Sequence, residues 1–408
     1  MGLDVGTTGM KIGVYRAENG ALKLAGQYSQ SYEVNTYNNG QFSDIEPEKW
    51  QAAFAAGCRQ LGSLAAEVDA IGISGTTPGL TAMDQTGAPL YPAILMLDQR
   101  SRAQAAEIIE RIGLRTLLEA TGNMPVAGGC SLASILWLRD HRPEVFQKAA
   151  CFGHSNTFMA RWLTGTFAID PSSASLTALY NTTANDLTWN AEIASAFGIR
   201  LEQLPRLLPA SESTGRVLPE LARELGLRRQ PLVVIGGNDA VLAAYSIGIR
   251  EPGDFVNVNG TCEISMVCLD RCHPSTKYNI RAHVIPGRWV TLYVMNAEAR
   301  PSSGSTASFA AKCPRNCSTG TSSLRPWNNG WTAKAPSPIP HSSWVRATAR
   351  RRSKPSSWDS PPRPPARKCW PRWCADWPST SANTSRRSLS SSPSNRSFMS
   401  PAAPSTPL

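Results

Sequence analysis

The sequence predicts an α/β fold built from a duplicated domain, the second copy incomplete, followed by a disordered C-terminal tail. Three observations predict it. An opening meander of three strands gives way to alternating strands and helices. A strand, a Gly-Thr turn and a returning strand occur twice, around Gly6-Thr7 and around Gly260-Thr261. The composition then changes abruptly near residue 300. These features divide the chain into a first domain over residues 1–228, the start of a second over 229–298, and a Pro/Ser/Arg tail over 299–408.

Taken in order, residues 1–5 read as an apolar strand that runs into Gly6-Thr7-Thr8-Gly9, and 12–15 lead back out. Glycines at such a turn can take positive φ and let a ligand approach the backbone. Residues 21–28 supply a third strand. Glu46-Pro47-Glu48 opens a helix reaching 67, because proline and acids suit a first turn. Residues 68–75 form a buried strand ending in the loop Gly75-Thr76-Thr77-Pro78-Gly79. Strands follow over 80–84 and 92–97, then helices over 101–112, 132–140, 158–163, 189–197 and 218–225. The strongly apolar strand 231–235 ends in Gly236-Gly237-Asn238-Asp239, and a helix over 240–246 stops at Gly248. Strands 255–259 and 264–267 flank the second Gly-Thr turn, and 289–295 is the last strand.

The formal charge of +11 suggests a nucleic-acid or membrane binder, but it is unevenly distributed. Residues 301–408 hold 16 Lys+Arg against 2 Asp+Glu, so residues 1–300 hold 25 against 28 and are mildly acidic. The tail has 25 Ser, 17 Pro and 7 Trp, but only 7 Leu, Ile, Val and Phe together. So few aliphatic side chains cannot offset chain entropy. Pro, Ser, Arg, Trp and Cys rising together is what GC-rich coding DNA yields out of frame. A change of reading frame is therefore expected close to residues 297–301, the alternative being a natural low-complexity tail. The pairs Cys313, Cys317 and Cys369, Cys374 imitate zinc spacing inside that tail without histidine support, and are set aside. Elsewhere His141, His154, His273 and His283 show no metal spacing. No signal peptide and no apolar run of a membrane span's length is present, so the cytoplasm, with reduced thiols, is the expected compartment.

The chemistry sits in the glycine turns and the carboxylates. Exposed N–H groups of the first turn with the hydroxyls of Thr7 and Thr8 form a donor-rich concavity suited to phosphate oxygens. Asp4 could hold a metal or a metal-bound water beside it, and Lys11 adds a positive charge. An ordinary hairpin with a solvent-facing lysine would use the same residues. Asp239 would serve equally as a helix N-cap, Asp98 as the cap of the helix from Ser101, and Arg100 as its solvated partner. Asp170, before a proline, reads as a turn residue. Two Gly-Thr turns with an acidic residue at the end of a buried strand between them point to phosphate held between two halves.

Over residues 1–297 the pattern resembles the FGGY family of carbohydrate kinases, xylulokinase-like members of the actin and sugar-kinase superfamily with ribonuclease H-like domains. Asp4-Val5-Gly6-Thr7-Thr8 with Lys11 is similar to the family's first phosphate motif and Gly260-Thr261 to its second. Gly236-Gly237-Asn238-Asp239-Ala240 is similar to the segment carrying the family's catalytic base. Asp98-Gln99-Arg100 is similar to a sugar-binding stretch, with Met96 where a tryptophan is usual. The resemblance implies that ATP and Mg2+ are the cofactors and that a sugar or polyol is the substrate. It implies that Asp239 binds the sugar and acts as general base, and that Asp98, Arg100, Thr76 and Thr77 contact the sugar. It further implies that Gly6, Thr7, Thr8, Lys11, Gly260 and Thr261 bind the ATP phosphates and that Asp4 supports the metal.

Thr76-Thr77-Pro78 departs from the Gln-Met-His run of many xylulokinases, which leaves the sugar open. The resemblance ends at the tail, where the family's adenine pocket is expected, so impaired activity is expected of the chain. A membrane partner is excluded, nucleic acid is not expected and a homodimer is left open. The competing reading is an inactive kinase-like body whose basic, Trp-bearing tail binds nucleic acid. An actin-like ATPase would share the phosphate turns without the Asp98–Arg100 stretch. Gly72-Ile73-Ser74-Gly75-Thr76 lacks the closing glycine of a serine-hydrolase elbow.

Overall fold

Alternation of side chains sets the first sheet. The computed structural model describes residues 1–259, 262–296 and 346–347, all within the unit Met1–Arg352. Its opening strands are β1 (Gly2–Val5), β2 (Gly9–Glu18) and β3 (Ala21–Ser31), followed by β4 (Asn35–Tyr37) and β5 (Phe42–Ile45). Next come β6 (Ala70–Gly75), β7 (Gly79–Met83), β8 (Ala93–Leu95) and β9 (Cys151–Gly153). The short strands β10 (Ala168–Ile169) and β11 (Arg206–Leu207) pair with each other, and β12 (Ser213–Arg216) and β13 (Leu232–Asn238) follow. The later strands are β14 (Phe255–Asn259), β15 (Cys262–Leu269), β16 (Asn279–Ala282), β17 (Trp289–Asn296) and β18 (Arg346–Ala347).

The first sheet has the order β12-β13-β6-β1-β2-β3. Strands β13, β6 and β1 run parallel, and the flanking strands are antiparallel. Leu3, Val5, Met10, Ile12, Val14, Ile71, Ile73, Val233 and Ile235 are buried in one core with Trp50, Phe54 and Cys58 of the helix Glu48–Leu61. With a period of two, the intervening residues Asp4, Lys11, Gly13, Gly72 and Ser74 occupy the opposite face. That face lines a groove of about 840 Å3.

A second sheet, β4-β5-β8-β7-β9, is antiparallel throughout and packs under the helices Arg102–Ile112, Leu114–Thr121 and Ser131–His141. A third has the order β16-β17-β15-β14-β18. The expected hairpin of strands 255–259 and 264–267 is its β14–β15 ladder, with Asn259 opposite Glu263.

The structure differs from expectation at three places. The helix expected to reach 67 breaks at Gly62, whose φ is +52°, and resumes as Ser63–Ala66. Strands β4, β5 and β9 and the helix Leu114–Thr121 are additional to the sequence reading. The division expected at residue 228 falls ahead of β13, yet β13 pairs with β6 and completes the first sheet, because Val233 and Ile235 fill its core. The change of sheet comes one element later, at the helix Asp239–Ser246. Its Val241 and Ala244 pack with Val256, Met266, Val290 and Leu292 of the third sheet. Residues 260–261 and the tail expectation over 299–408, apart from β18, lie outside the described residues.

Candidate functional site

The parallel strands β1, β6 and β13 end on the same edge of the sheet, where open α/β sheets bind ligands. Three loops leave from there. The turn after β1 is closed by the Gly6 N–H donating to the Gly9 carbonyl at 3.0 Å, and Tyr32 holds it from outside through its N–H on Thr8 O and its hydroxyl on Gly6 O. Neither Gly6 nor Gly9 has positive φ, contrary to the expectation for this turn. Both are glycine for space, since a Cβ would lie 2.8 Å from Gly9 O at Gly6 and 2.9 Å from Gln30 O at Gly9.

The loop after β6 docks against this turn. The Thr76 N–H donates to Val5 O at 2.9 Å, and the hydroxyls of Thr7 and Thr76 are 3.3 Å apart. Thr76 and Thr77 are buried, and the Ser155 hydroxyl donates to Thr76 O.

The third loop is bent by a bulge in β13. Val234 pairs with Gly72 and Gly237 with Ser74, so one extra residue lies on β13. Gly236 makes the bulge with a φ of +64°, and a Cβ there would be 1.8 Å from Ile73 O. The Asn238 that follows is fully buried and joins several partners. Its Nδ2 donates to Thr77 Oγ1 at 2.8 Å and to Asp239 Oδ1 at 2.9 Å. Its Oδ1 accepts from the Val241 N–H and from Arg281 Nη1. Its N–H donates to Ser172 Oγ, which in turn donates to the buried Asp170. Asp170 itself accepts the N–H groups of Ser172 and Ser173 as the cap of the short helix Pro171–Ala174, in agreement with its reading as a turn residue.

Asn238, not Asp239, therefore caps the helix Asp239–Ser246. Asp239 Oδ1 accepts from the Ala240 N–H at 2.7 Å. Burial pushes its carboxyl above the usual range, the charge of Asp4 pushes the same way, and Arg281, the Ala240 N–H and Asn238 oppose the rise. A carboxylate that is desolvated and yet held by donors has the environment of a general base. Asp4, two strands over on β1, accepts the Ser74 hydroxyl at 3.1 Å and has Lys11 Nζ at 3.9 Å across an exposed pair. The large groove includes Asp4, Lys11 and Ser74 but none of Thr76, Thr77 and Asp239, so it records the open sheet face rather than the loop cluster.

The structure brings together Gly6, Thr7, Thr8, Thr76, Thr77 and Asp239, with Asp4 and Lys11 beside them. Gly260 and Thr261 lie outside the described residues. Asp98 and Arg100, expected to contact a sugar, are corrected by their burial: both side chains are 0% exposed. Arg100 donates through Nε to Asp98 at 2.8 Å, through Nη2 to Asp44 at 2.7 Å and through Nη1 to Tyr91, and its guanidinium lies over Phe42 and Trp137. Asp98 also accepts the Ser43 N–H. Their hydrogen-bonding capacity is directed inward to tie the second sheet together, and Met96, Leu97 and part of Gln99 face outward instead. Conversely, Arg281, which the sequence reading did not single out, reaches the loop cluster through Asn238. It lies on the four-residue strand β16, where Ile280, Arg281 and Ala282 are all buried.

No group of three or more His, Cys, Asp and Glu able to hold a metal is present among the described residues. The half-exposed carboxylate of Asp4 beside the first turn fits a cation held by one carboxylate and by substrate phosphates. No described helix is long and apolar enough to cross a membrane. Cys58, Cys130, Cys151, Cys268 and Cys272 are free thiols.

Residues 1–246 match the FGGY family of carbohydrate kinases, N-terminal domain. A xylulose kinase of Lactococcus lactis subsp. lactis is 30% identical over 292 residues, covering 70% of this chain and 57% of the relative. A xylulose kinase of Escherichia coli is 28% identical over 304 residues, covering 73% and 60%. Among solved structures, a xyloylose kinase from Brucella ovis superposes with a TM-score of 0.65 at 26% identity, covering 72% of this chain and 60% of that one. The chain thus spans less than two thirds of the length of these relatives.

Proposed function

The chain belongs to the FGGY family of carbohydrate kinases, and from that premise we propose that residues 1–296 form the sugar- and phosphate-handling part of an ATP-dependent kinase acting on a sugar or polyol hydroxyl. The observation that carries the reading is the meeting of three loops at one sheet edge, with Thr7 on Thr76 and Thr77 on Asn238 beside Asp239. Asp239 accepts the proton of the attacking hydroxyl. The Asn238 amide and the Ala240 N–H both donate to its Oδ1 and fix the carboxylate's orientation. Thr7 and Thr8, with the turn's N–H groups, orient the phosphoryl oxygens, and Lys11 adds positive charge. Phosphoryl transfer needs positioning and charge neutralisation more than covalent chemistry, which suits loops and carboxylates. Asp4 would hold Mg2+, whose contribution when bound is to neutralise phosphate oxygens.

The acceptor class is a sugar or polyol. The relatives named for xylulose make D-xylulose the first compound to try. Thr76-Thr77-Pro78 supplies hydroxyls and no imidazole, which favours an acceptor other than D-xylulose. Turnover by this chain is expected to be impaired, because residues 301–408 carry too few aliphatic side chains to complete a second domain. The cytoplasm is the proposed compartment. Calorimetric titration of the chain with D-xylulose, glycerol and a panel of aldoses, ketoses and polyols tests the reading. At least one compound is expected to bind, with its affinity lost in Asp239→Ala. Binding of none of them, or binding that Asp239→Ala leaves unchanged, contradicts it.

A further inference from the structure

The two deeply buried arginines among the described residues are provided for very differently. Arg100 faces two carboxylates, Asp44 and Asp98, and lies over aromatic rings. Arg281 is 5% exposed, yet among the described residues its guanidinium donates to the neutral amide oxygen of Asn238 at 2.6 Å, and its Nε has no partner. Asp239 attracts it through space without contact, and burial lowers its pKa to about 10, so it is charged at neutral pH. A buried cation without a contacting anion is costly, and removing it from water is repaid only by close, hydrogen-bonded charge. Its place is not a random part of the core. The amide it touches also touches Thr77 of the second loop and Asp239.

We propose that Arg281 is an oxyanion-binding residue of the substrate cleft, recognising a carboxylate or phosphoryl group on the ligand whose hydroxyl Asp239 addresses. The proposal rests on the kinase reading above. The guanidinium fork is shaped for two oxygens of a planar or tetrahedral anion, and its unpartnered donor leaves capacity for such a ligand. Asp239 repels an anion placed on itself. The ligand must therefore set its anionic end on Arg281 and its reacting hydroxyl on Asp239, which gives the cleft a polarity. The two sources of the oxyanion are an acidic sugar, such as an aldonate, and a phosphoryl group in transit or on the product.

The test is calorimetric titration of the full 408-residue chain with D-gluconate, D-glucitol and inorganic phosphate. The first two share their hydroxyl pattern and differ at one terminus, carboxylate against hydroxymethyl. Wild-type protein is expected to bind an oxyanion probe, with affinity falling about tenfold or more in Arg281→Met and less in Arg281→Lys, which keeps the charge without the fork. Preference for gluconate over glucitol supports the proposal and assigns the oxyanion to a sugar carboxylate. Phosphate binding without that preference, lost in Arg281→Met, supports it and assigns a phosphoryl group. Equal binding of gluconate and glucitol with no Arg281-dependent phosphate binding overturns it, as do anion isotherms that Arg281→Met leaves unchanged. If neither anion binds while a neutral sugar does, the kinase reading stands and Arg281 is only a tie between sheets. The wild-type comparison of gluconate with glucitol needs no variant, so the proposal stays testable if Arg281→Met fails to fold.

Discussion

Among single residues, the two acidic groups expected to touch a sugar have opposite environments. Asp98 is enclosed and paired with Arg100. Asp239 is raised by burial and only partly relieved by Arg281. The folded state therefore takes up a proton on Asp239 at a higher pH than the unfolded chain does. Its charge costs stability at neutral pH, and that cost shrinks as the pH falls below the raised value and is gone below the value of the unfolded chain. Asp239→Asn should accordingly stabilise the chain at pH 7 by about 0.5–2 kcal/mol, the common range for a single stabilising change, with the gain shrinking on acidification. Denaturant unfolding of both proteins across pH checks this, and a variant that is destabilised at pH 7 would show that the carboxylate is structurally satisfied. Asp239 was legible in the sequence because a glycine pair and an acid follow an apolar strand. Arg281 was not, since one arginine in a short strand gives no sign of burial. Asp98 and Arg100 were identified as a motif, but the enclosing rings of Phe42, Tyr91 and Trp137 come from three separate segments that spacing along the chain cannot join.

Among elements, the strand that delivers Asp239 depends on its bulge. The extra residue at Gly236 turns the end of β13 so that Asn238 reaches Thr77 on the neighbouring loop. Gly236→Ala adds left-handed strain of about 1–2 kcal/mol and also puts a methyl into Ile73 O. Gly226→Ala is the control: its φ is +71° with nothing within 4 Å, so it carries the strain alone. Chemical denaturation should show Gly236→Ala clearly more destabilising than Gly226→Ala, and equal losses would remove the bulge from the account. The strands that position the site were visible from their alternation and glycine stops, as in β1, β6 and β13. Strands β4 and β9 were not, being three residues long and held by neighbours distant in sequence. The assignment of β13 to the first sheet was likewise invisible, because parallel pairing is a property of two segments and β6 lies far back in the chain.

For the whole molecule, the first two sheets rest on large buried cores, whereas the third is held by a smaller cluster around Val241, Val256, Met266 and Val290. The helix Asp239–Ser246 links the first and third sheets, so Asp239 sits where one ends and the next begins. The central claim is that the ends of β1, β6 and β13 form one ligand site. Hydrogen exchange followed by mass spectrometry, with and without a saturating sugar and an ATP analogue, tests it most directly. Peptides spanning 4–9, 74–79 and 236–241 should gain protection together, while 96–100 should stay unchanged. Protection confined to 96–100, or absent from the three loops, would contradict the account.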